Sequence, residues 1–535
     1  MQTVETTVSS PGLLESRTAK LADWVELSCE RMAKSVEEHS RIWLVSLTAV
    51  YFACTVAHSL AKRLWFDELF TLYISRTPGW KERLMLSTVD SCPPLFYGLT
   101  RACLRLMGEN SLAVRMPEIL SFWLMCICLF LFLRRRCAAI YAFLGVMIPL
   151  VTVAYSYAFE ARPYGILLGM AGLSLFCWQS AVEGRKRTLA LIGIGLSIAI
   201  AVNSHFYGAQ IVIPLLAGET WRILKRKRVD WGILCGIMAG LAPLVFLLPM
   251  AHSSVSALFD YVRKLPDFWA KPHAVQAVTY FASMFAPCLL PLIAGLFGTA
   301  IIYLLRSGKS GRIPSSLPKL PLHETAAVIG YLFIPAAVLL VTYLKTGHFI
   351  IRYALTSVVG CTILLVFLTS VLSAGRAILP ALLIAASLVF CIQNAARAHS
   401  TEPDSVKEFN ISSPEYPRGD RLPIVIPDAT LFVQLVQYSS PDVGSRLVHL
   451  ADVADSVRRQ GILPELSLAV DRRIVPGRVE EYTHFLRQNP EFWVYCHGNP
   501  LMEWLPSRLK EEGWHVEFEA QNVEQVLFRA TRHDK

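Results

Sequence analysis

A chain of 535 residues that is 54% hydrophobic and only 17% charged, with a mean hydropathy of +0.44, is too apolar for a soluble globular protein and reads as a polytopic membrane protein. The formal net charge of +10 does not point to nucleic acid, because the basic residues concentrate in short loops between apolar runs, where cations report topology. Nucleic acid is thereby excluded as a partner, and the lipid bilayer is implied.

Residues 1–41 are polar and acidic and lack the short apolar core and small-residue cleavage site of a signal peptide. They are expected to be a cytoplasmic segment, with the first span acting as anchor. From residue 42 onward, runs long enough to cross the hydrocarbon layer recur about eleven times. They lie near residues 42–61, 116–133, 138–158, 163–182, 188–204, 206–222, 231–250, 283–305, 325–344, 353–372 and 375–394. If these spans alternate, the clusters Arg134-Arg135-Arg136, Arg185-Lys186-Arg187, Lys225-Arg226-Lys227-Arg228 and Arg306, Lys309, Arg312 all fall on one side. Cytoplasmic loops carry the excess of cations, so the N-terminus is expected inside and the C-terminus outside. Cys54, Cys126, Cys128, Cys177, Cys235, Cys288, Cys361 and Cys391 lie in apolar runs without paired-ligand spacing and read as membrane-packing residues.

Two extracytoplasmic loops are long enough to hold structure, 61–115 and 251–282. In the first, Pro93-Pro94 opens an apolar stretch in which Arg101 and Arg105 stand one turn apart, as in a helix lying in the headgroup layer. The competing reading, a further crossing, would invert every basic loop downstream. Residues 42–394 form the expected transmembrane domain, and Ser, Pro, Arg and Asp over 395–420 mark a linker. Residues 421–535 alternate short β-type runs (423–426, 492–495, 515–518, 526–528) with helical patterns (479–488, 501–512). That rhythm predicts a small extracytoplasmic α/β domain, and it contains no Gly-rich phosphate loop.

The chemistry-bearing residues gather on the predicted outer face. Asp67 and Glu68 stand side by side among aromatics just after the first span, and paired carboxylates at a membrane surface do chemistry or bind a cation. Asp90 follows in the same loop, Glu160 and Arg162 after the third span, His205 after the fifth, and Lys345, His348 and Arg352 after the ninth. Each has a plainer reading. Asp67 could be a solvated carboxylate at a span end, Glu160 and Arg162 could neutralise each other, and His205 could be a hydrogen-bonded interfacial residue. The 347–353 run could be ordinary anchoring, although the Arg352 guanidinium offers the planar fork that suits phosphate oxygens.

Several separated motifs together resemble the GT-C superfamily of membrane glycosyltransferases, in the bacterial branch related to protein O-mannosyltransferases and the lipid A aminoarabinose transferase. They are Trp65-Phe66-Asp67-Glu68, Asp90 followed by Pro93-Pro94-Leu95-Phe96-Tyr97, Arg115 before the second span, Tyr157 to Tyr164, and the later His348 to Tyr353 run. The resemblance covers about residues 42–360 and does not extend to the terminal domain. It implies a GT-C-like fold and transfer of a sugar from a polyprenyl-phosphate carrier to a lipid, glycan or protein acceptor on the outer face, with inversion. It casts Asp67 as general base and Glu160 as the residue that orients the acceptor or shares that role. Arg162, Arg352 and Lys345 would hold the carrier phosphate. Glu68, Asp90, His205 and His348 are acceptor or cation candidates. Relatives often carry a histidine directly before the paired prolines where this chain has Ser91-Cys92. A metal contact through that histidine is not carried over; Asp90, Glu68 and His205 could hold a divalent cation, and the metal stays open.

Two rival readings remain. A transporter or flippase of a lipid-linked sugar would also use membrane charges, but such proteins commonly show related halves with polar groups at midplane, and here the charges sit at span ends. A noncatalytic scaffold would leave the outer carboxylates without a purpose.

Overall fold

A computed structural model describes residues 11–89, 92–249, 270–305, 317–400, 421–452, 474–497, 504–521 and 525–532. Asp90, the basic cluster 306–312 and most of the linker lie outside these residues. Each expected apolar run is helical where it is described. Among the described residues, seven helices are long and apolar enough to cross a membrane: Ser40–Ala61, Ser111–Arg134, Tyr164–Val182, Arg187–Ser204, Trp231–Pro249, Gln276–Leu305 and Ile378–Ala398. The helices Leu322–Leu332 and Ile334–Thr346 pass the same test only together, as a pair bent by 41°. The bend falls at Pro335, which cannot donate to the preceding turn.

The remaining expected spans are shorter. Ala139–Leu150 is continued by a 3-10 turn at Val153–Ala158, Val212–Arg226 is preceded by one at Phe206–Ile211, and Ser357–Leu372 follows one at Ile351–Ala354. These turns matter, because they release backbone and side chains at one end of the bundle, where the candidate residues lie. Labelled in chain order, the elements up to the seventh crossing are α1 (Pro11–Glu38), α2 (Ser40–Ala61), α3 (Phe66–Arg76), α4 (Trp80–Val89), α5 (Pro94–Met107), α6 (Ser111–Arg134), α7 (Ala139–Leu150), α8 (Tyr164–Val182), α9 (Arg187–Ser204), α10 (Val212–Arg226) and α11 (Trp231–Leu241). The long helix α1 was not anticipated in the polar N-terminal segment; it packs on α2, α7, Leu289–Leu305 and Ile378–Ser400.

The tightest helix pair is α6 with α8, and glycines permit it. A Cβ on Gly165 would stand 2.6 Å from the Glu118 carboxylate, and one on Gly169 2.4 Å from the Ser121 carbonyl oxygen. In lipid, where apolar burial between helices brings little gain, such backbone approach supplies packing energy.

The basic loops form an ion-paired layer at one end of the bundle. Arg136 pairs with Glu183 at 2.6 Å and with the fully buried Glu324, Arg134 with Glu37, and Arg187 and Arg222 with Asp230. The clusters at 134–136 and 183–187 therefore stand together with the neighbourhood of 222–230, as one-sided topology requires. At the opposite end the first loop folds into α3, α4 and α5. Helix α5 is 14 residues, about 21 Å at 1.5 Å per residue, too short to cross. Phe96, Tyr97, Thr100 and Leu104 face inward on it, and Arg101 donates to the carbonyls of Ser75 and Arg76, closing the C-terminal end of α3.

Residues from 421 onward form the expected α/β domain. Its strands are β1 (Ile424–Val425), β2 (Leu447–Ala451), β3 (Arg478–Glu481), β4 (Glu491–His497), β5 (Trp514–Gln521) and β6 (Gln525–Arg532), in the order β3-β2-β1-β4-β6-β5. The first four are parallel, and β6 joins β4 and β5 antiparallel. The expected helix over 479–488 begins only at Tyr482, because Arg478–Glu481 pairs with β2. One side of the sheet, through Trp493 and Leu527, and the helix Ala429–Tyr438, through Phe432 and Val433, share an apolar core with Leu69, Phe70 and Leu72 of α3. The C-terminal domain is thus seated on the helix that carries Asp67 and Glu68.

Candidate active site

Asp67 and Glu68 occupy the first turn of α3, where carboxylates are favoured by the helix dipole. Neighbouring helical residues point about 100° apart, and this separates their roles. The Glu68 side chain is fully buried, whereas that of Asp67 keeps 19% of its surface.

Glu68 receives the fork of Arg115, with Nε to Oε1 and Nη2 to Oε2 both at 2.7 Å. Arg115 is itself fully buried, and its remaining donors reach the carbonyls of Ser59 at 2.6 Å, Lys62 at 2.8 Å and Arg63 at 3.1 Å. Glu68 Oε1 also accepts from the Ala161 amide at 2.7 Å, and the Thr71 hydroxyl donates to the Ala161 carbonyl at 2.9 Å. One buried ion pair and one hydroxyl thereby bind the end of the first span, α3, α6 and the bend carrying Glu160 and Arg162. With these partners Glu68 sits as a positioning group bound to Arg115 and the Ala161 amide.

Asp67 faces two guanidinium groups. Its Oδ2 lies 3.4 Å from Arg352 Nη1 and 3.8 Å from Arg162 Nε. Glu160 and Arg162 are each 8% exposed on the bend between α7 and α8. Burial pushes the Glu160 carboxyl up to about 7, with Glu68 and Asp67 adding to the rise while Lys62 and Arg352 oppose it. A carboxyl poised there can hold or release a proton near neutrality. Arg352 also lies over the Tyr164 ring, 5.8 Å from its centroid. Tyr207 and Tyr353 stack at 4.8 Å beside it, and His205 lies 5.1 Å from Tyr164.

The histidines act as neutral wall groups. His205 Nδ1 accepts from the Tyr207 amide, and burial with Arg162 and Arg352 nearby pushes the ring down to about 3. His348 Nδ1 faces the Thr346 carbonyl at 3.1 Å and so carries its proton, leaving Nε2 to accept from the Tyr353 hydroxyl at 3.0 Å. Burial lowers His348 as well. Lys345 is exposed on the turn that ends the bent span, whereas Arg352 reaches the carboxylate. Asp90 lies outside the described residues. Among those described, no three His, Cys, Asp or Glu side chains group as metal ligands. Of the described cation candidates, Glu68 is committed to Arg115 and His205 Nδ1 accepts from backbone.

The site thus joins Asp67, Glu160, Arg162 and Arg352 from three distant stretches. Residues not singled out from sequence are Lys62, which faces Glu160 electrostatically, and Tyr207; Tyr157, Tyr164 and Tyr353 lie in the motifs that carry the resemblance but have no site role there, and with Tyr207 they form an aromatic wall. The tyrosines carry no distinguishing spacing, since aromatics line every membrane interface.

Residues 91–221 match the family model described as dolichyl-phosphate-mannose-protein mannosyltransferase. That segment contains Arg115, Glu160, Arg162 and His205. Among solved structures the chain is similar to ArnT from Cupriavidus metallidurans bound to undecaprenyl phosphate, at 12% identity over 91% of this chain and 98% of that one, with a TM-score of 0.54. The apo state of the same protein aligns at 14% identity over 91% and 97% of the two chains, with a TM-score of 0.48. No curated protein matches the chain. The likeness to the undecaprenyl phosphate complex is one of fold and bears out the GT-C-like architecture. The aligned share is too large to leave out residues 421–535, so the likeness reaches into the terminal domain, where the sequence carries no resemblance.

Proposed function

We propose that this protein is a membrane glycosyltransferase that moves a sugar from a polyprenyl-phosphate carrier to an acceptor on the extracytoplasmic face. The observation that carries the reading is the cluster of Asp67, Glu160, Arg162 and Arg352 at the end of the bundle opposite the ion-paired basic layer. The match of residues 91–221 to a family of sugar transferases supports it. So does the fold shared with a protein crystallised with undecaprenyl phosphate, which favours a polyprenyl-phosphate donor.

In this scheme the acceptor hydroxyl gives its proton to the Asp67 carboxylate as its oxygen attacks the anomeric carbon. The bond from that carbon to the carrier phosphate breaks, and the polyprenyl phosphate leaves with the electron pair. Arg162 and Arg352, each presenting a planar fork, stabilise the charge that grows on the leaving phosphate. Direct displacement inverts the anomeric configuration. Glu160 orients the acceptor or relays the proton, and the tyrosines offer faces for the sugar ring. The basic layer would be cytoplasmic by the charge bias of loops, which puts the site and the terminal domain outside.

The test is transfer of labelled sugar from a polyprenyl-phosphate donor by the full-length protein in vesicles, with glycolipids and glycoproteins compared by mass spectrometry with and without it. Asp67→Asn should lower transfer by about 10²–10⁴-fold, the usual worth of a general base, and leave carrier binding near normal. Unchanged transfer removes Asp67 from the chemistry. Movement of the labelled lipid across the bilayer with no new glycosidic bond would replace the reading by a flippase.

A further inference from the structure

The polar N-terminal segment folds into α1, whose 28 residues extend for about 42 Å at 1.5 Å per residue. One face packs on the bundle: Ala22, Cys29 and Val36 are buried, and the neighbours are α2, α7, Leu289–Leu305 and Ile378–Ser400. The C-terminal end is fixed in the basic layer, where Glu37 pairs with Arg134 and accepts from the Ala139 amide at 2.7 Å. The Trp43 indole, at the start of the first span, donates to the Ser35 hydroxyl at 3.2 Å. The outer face of α1 is divided. Leu21, Trp24 and Leu27 are 60%, 62% and 44% exposed. At about 100° per residue, the exposed Lys20 and Arg31 fall between Trp24 and Leu27, whereas the exposed Asp23 and Glu30 lie beyond Leu27 on the far flank. Charges on both flanks bar the helix from the hydrocarbon layer itself.

We infer that α1 lies in the headgroup layer of an anionic leaflet, with Leu21, Trp24 and Leu27 entering the acyl boundary and Lys20 and Arg31 facing lipid phosphates. Trp and Leu interleaved with cations on one flank, and acids gathered on the other, is the division that a helix lying along a negatively charged bilayer surface needs. The apolar flank also continues onto lipid-facing residues beside it. Ile42 and Val45, on the first turns of α2, are 64% and 69% exposed, and Leu304, near the end of Leu289–Leu305, is 83% exposed. The occupant continuous with those residues is the bilayer. This surface is at the end of the bundle opposite Arg162 and Arg352 and does not depend on the glycosyltransferase reading.

The measurement is photocrosslinking of the full-length protein in nanodiscs of equimolar phosphatidylglycerol and phosphatidylcholine, with adducts identified by mass spectrometry. The photoreactive residue p-benzoylphenylalanine replaces Trp24 in one protein and Asp23, about 100° around the helix, in another. Both positions are exposed, so neither replacement disturbs the packed face. The probe at Trp24 should capture lipid, and capture should be lost with the probe at Asp23. Phosphatidylglycerol should exceed phosphatidylcholine among the Trp24 adducts. Lys20→Gln combined with Arg31→Gln should lower that excess by up to about fivefold per cation removed, the worth of a basic side chain near an anionic surface. Equal lipid capture from both positions, capture of a second copy of the chain in place of lipid, or no adduct from Trp24 would overturn the inference. So would a phosphatidylglycerol excess that the double variant leaves unchanged.

Discussion

Replacing Arg115 by Met removes the group on which the candidate site is assembled. Its guanidinium makes two bonds of 2.7 Å to Glu68 and three to the carbonyls of Ser59, Lys62 and Arg63, all without contact with solvent. The variant leaves the Glu68 carboxylate buried with only the Ala161 and Trp65 amides beside it, and three carbonyls without donors. Breaking a buried pair by deleting one partner costs about 3–5 kcal/mol. Glu68→Gln keeps the shape but weakens the fork, and the double variant Glu68→Gln, Arg115→Met no longer buries an uncompensated charge. The double variant should therefore be more stable than Arg115→Met alone by about 1–3 kcal/mol, because the charge penalty vanishes while the lost carbonyl bonds remain. The assay is the thermal unfolding midpoint of the four detergent-solubilised proteins, read alongside sugar transfer. Arg115→Lys should not rescue, since an ammonium cannot reproduce the fork. If the single effects simply add, the two residues are not coupled and the assembly argument fails.

Three other outcomes follow from the same geometry. Glu160 has a folded pKa of about 7, above that of an ordinary carboxyl, so the stability it contributes is present at low pH and is lost as pH rises through 7. Glu160→Gln should flatten that slope, and it should remove any limb of the transfer-rate profile that titrates near pH 7; an unchanged profile would exclude Glu160 from proton handling. Gly169→Ala would set a Cβ 2.4 Å from the Ser121 carbonyl oxygen and should cost about 1–3 kcal/mol by forcing α6 and α8 apart. Gly98→Ala, where a Cβ meets nothing within 4 Å, is the neutral control, and equal unfolding midpoints for the two would discount the packing argument. Tyr438→Phe deletes the hydroxyl that bonds both the amide and the carbonyl of Leu64, at 2.8 and 3.2 Å. A loss of about 1 kcal/mol should appear as faster hydrogen exchange in α3, and unaltered exchange would mean that the apolar contacts alone seat the terminal domain.

The membrane spans, the one-sided basic loops and the existence of a terminal α/β domain were legible in the sequence because each rests on a local property. A run of apolar residues either is or is not long enough to cross, and an arginine triplet stays on its side of the bilayer whatever it touches. The candidates Asp67, Glu160, Arg162 and Arg352 could be named for the same reason, being costly charges at span ends. What each charge does was decided only by the tertiary structure. Asp67 and Glu68 are indistinguishable as neighbours in a chain, and they part because α3 aims one at two guanidinium groups and the other at Arg115, 47 residues further along. Arg352 and Lys345 look equally suited to phosphate until the turn after the bent span carries one inward and leaves the other exposed. The near-neutral carboxyl of Glu160 and the seating of the terminal domain on α3 likewise arise from burial among distant residues. Local pattern registers the cost of a charge near lipid, and three-dimensional packing supplies the partner that settles it.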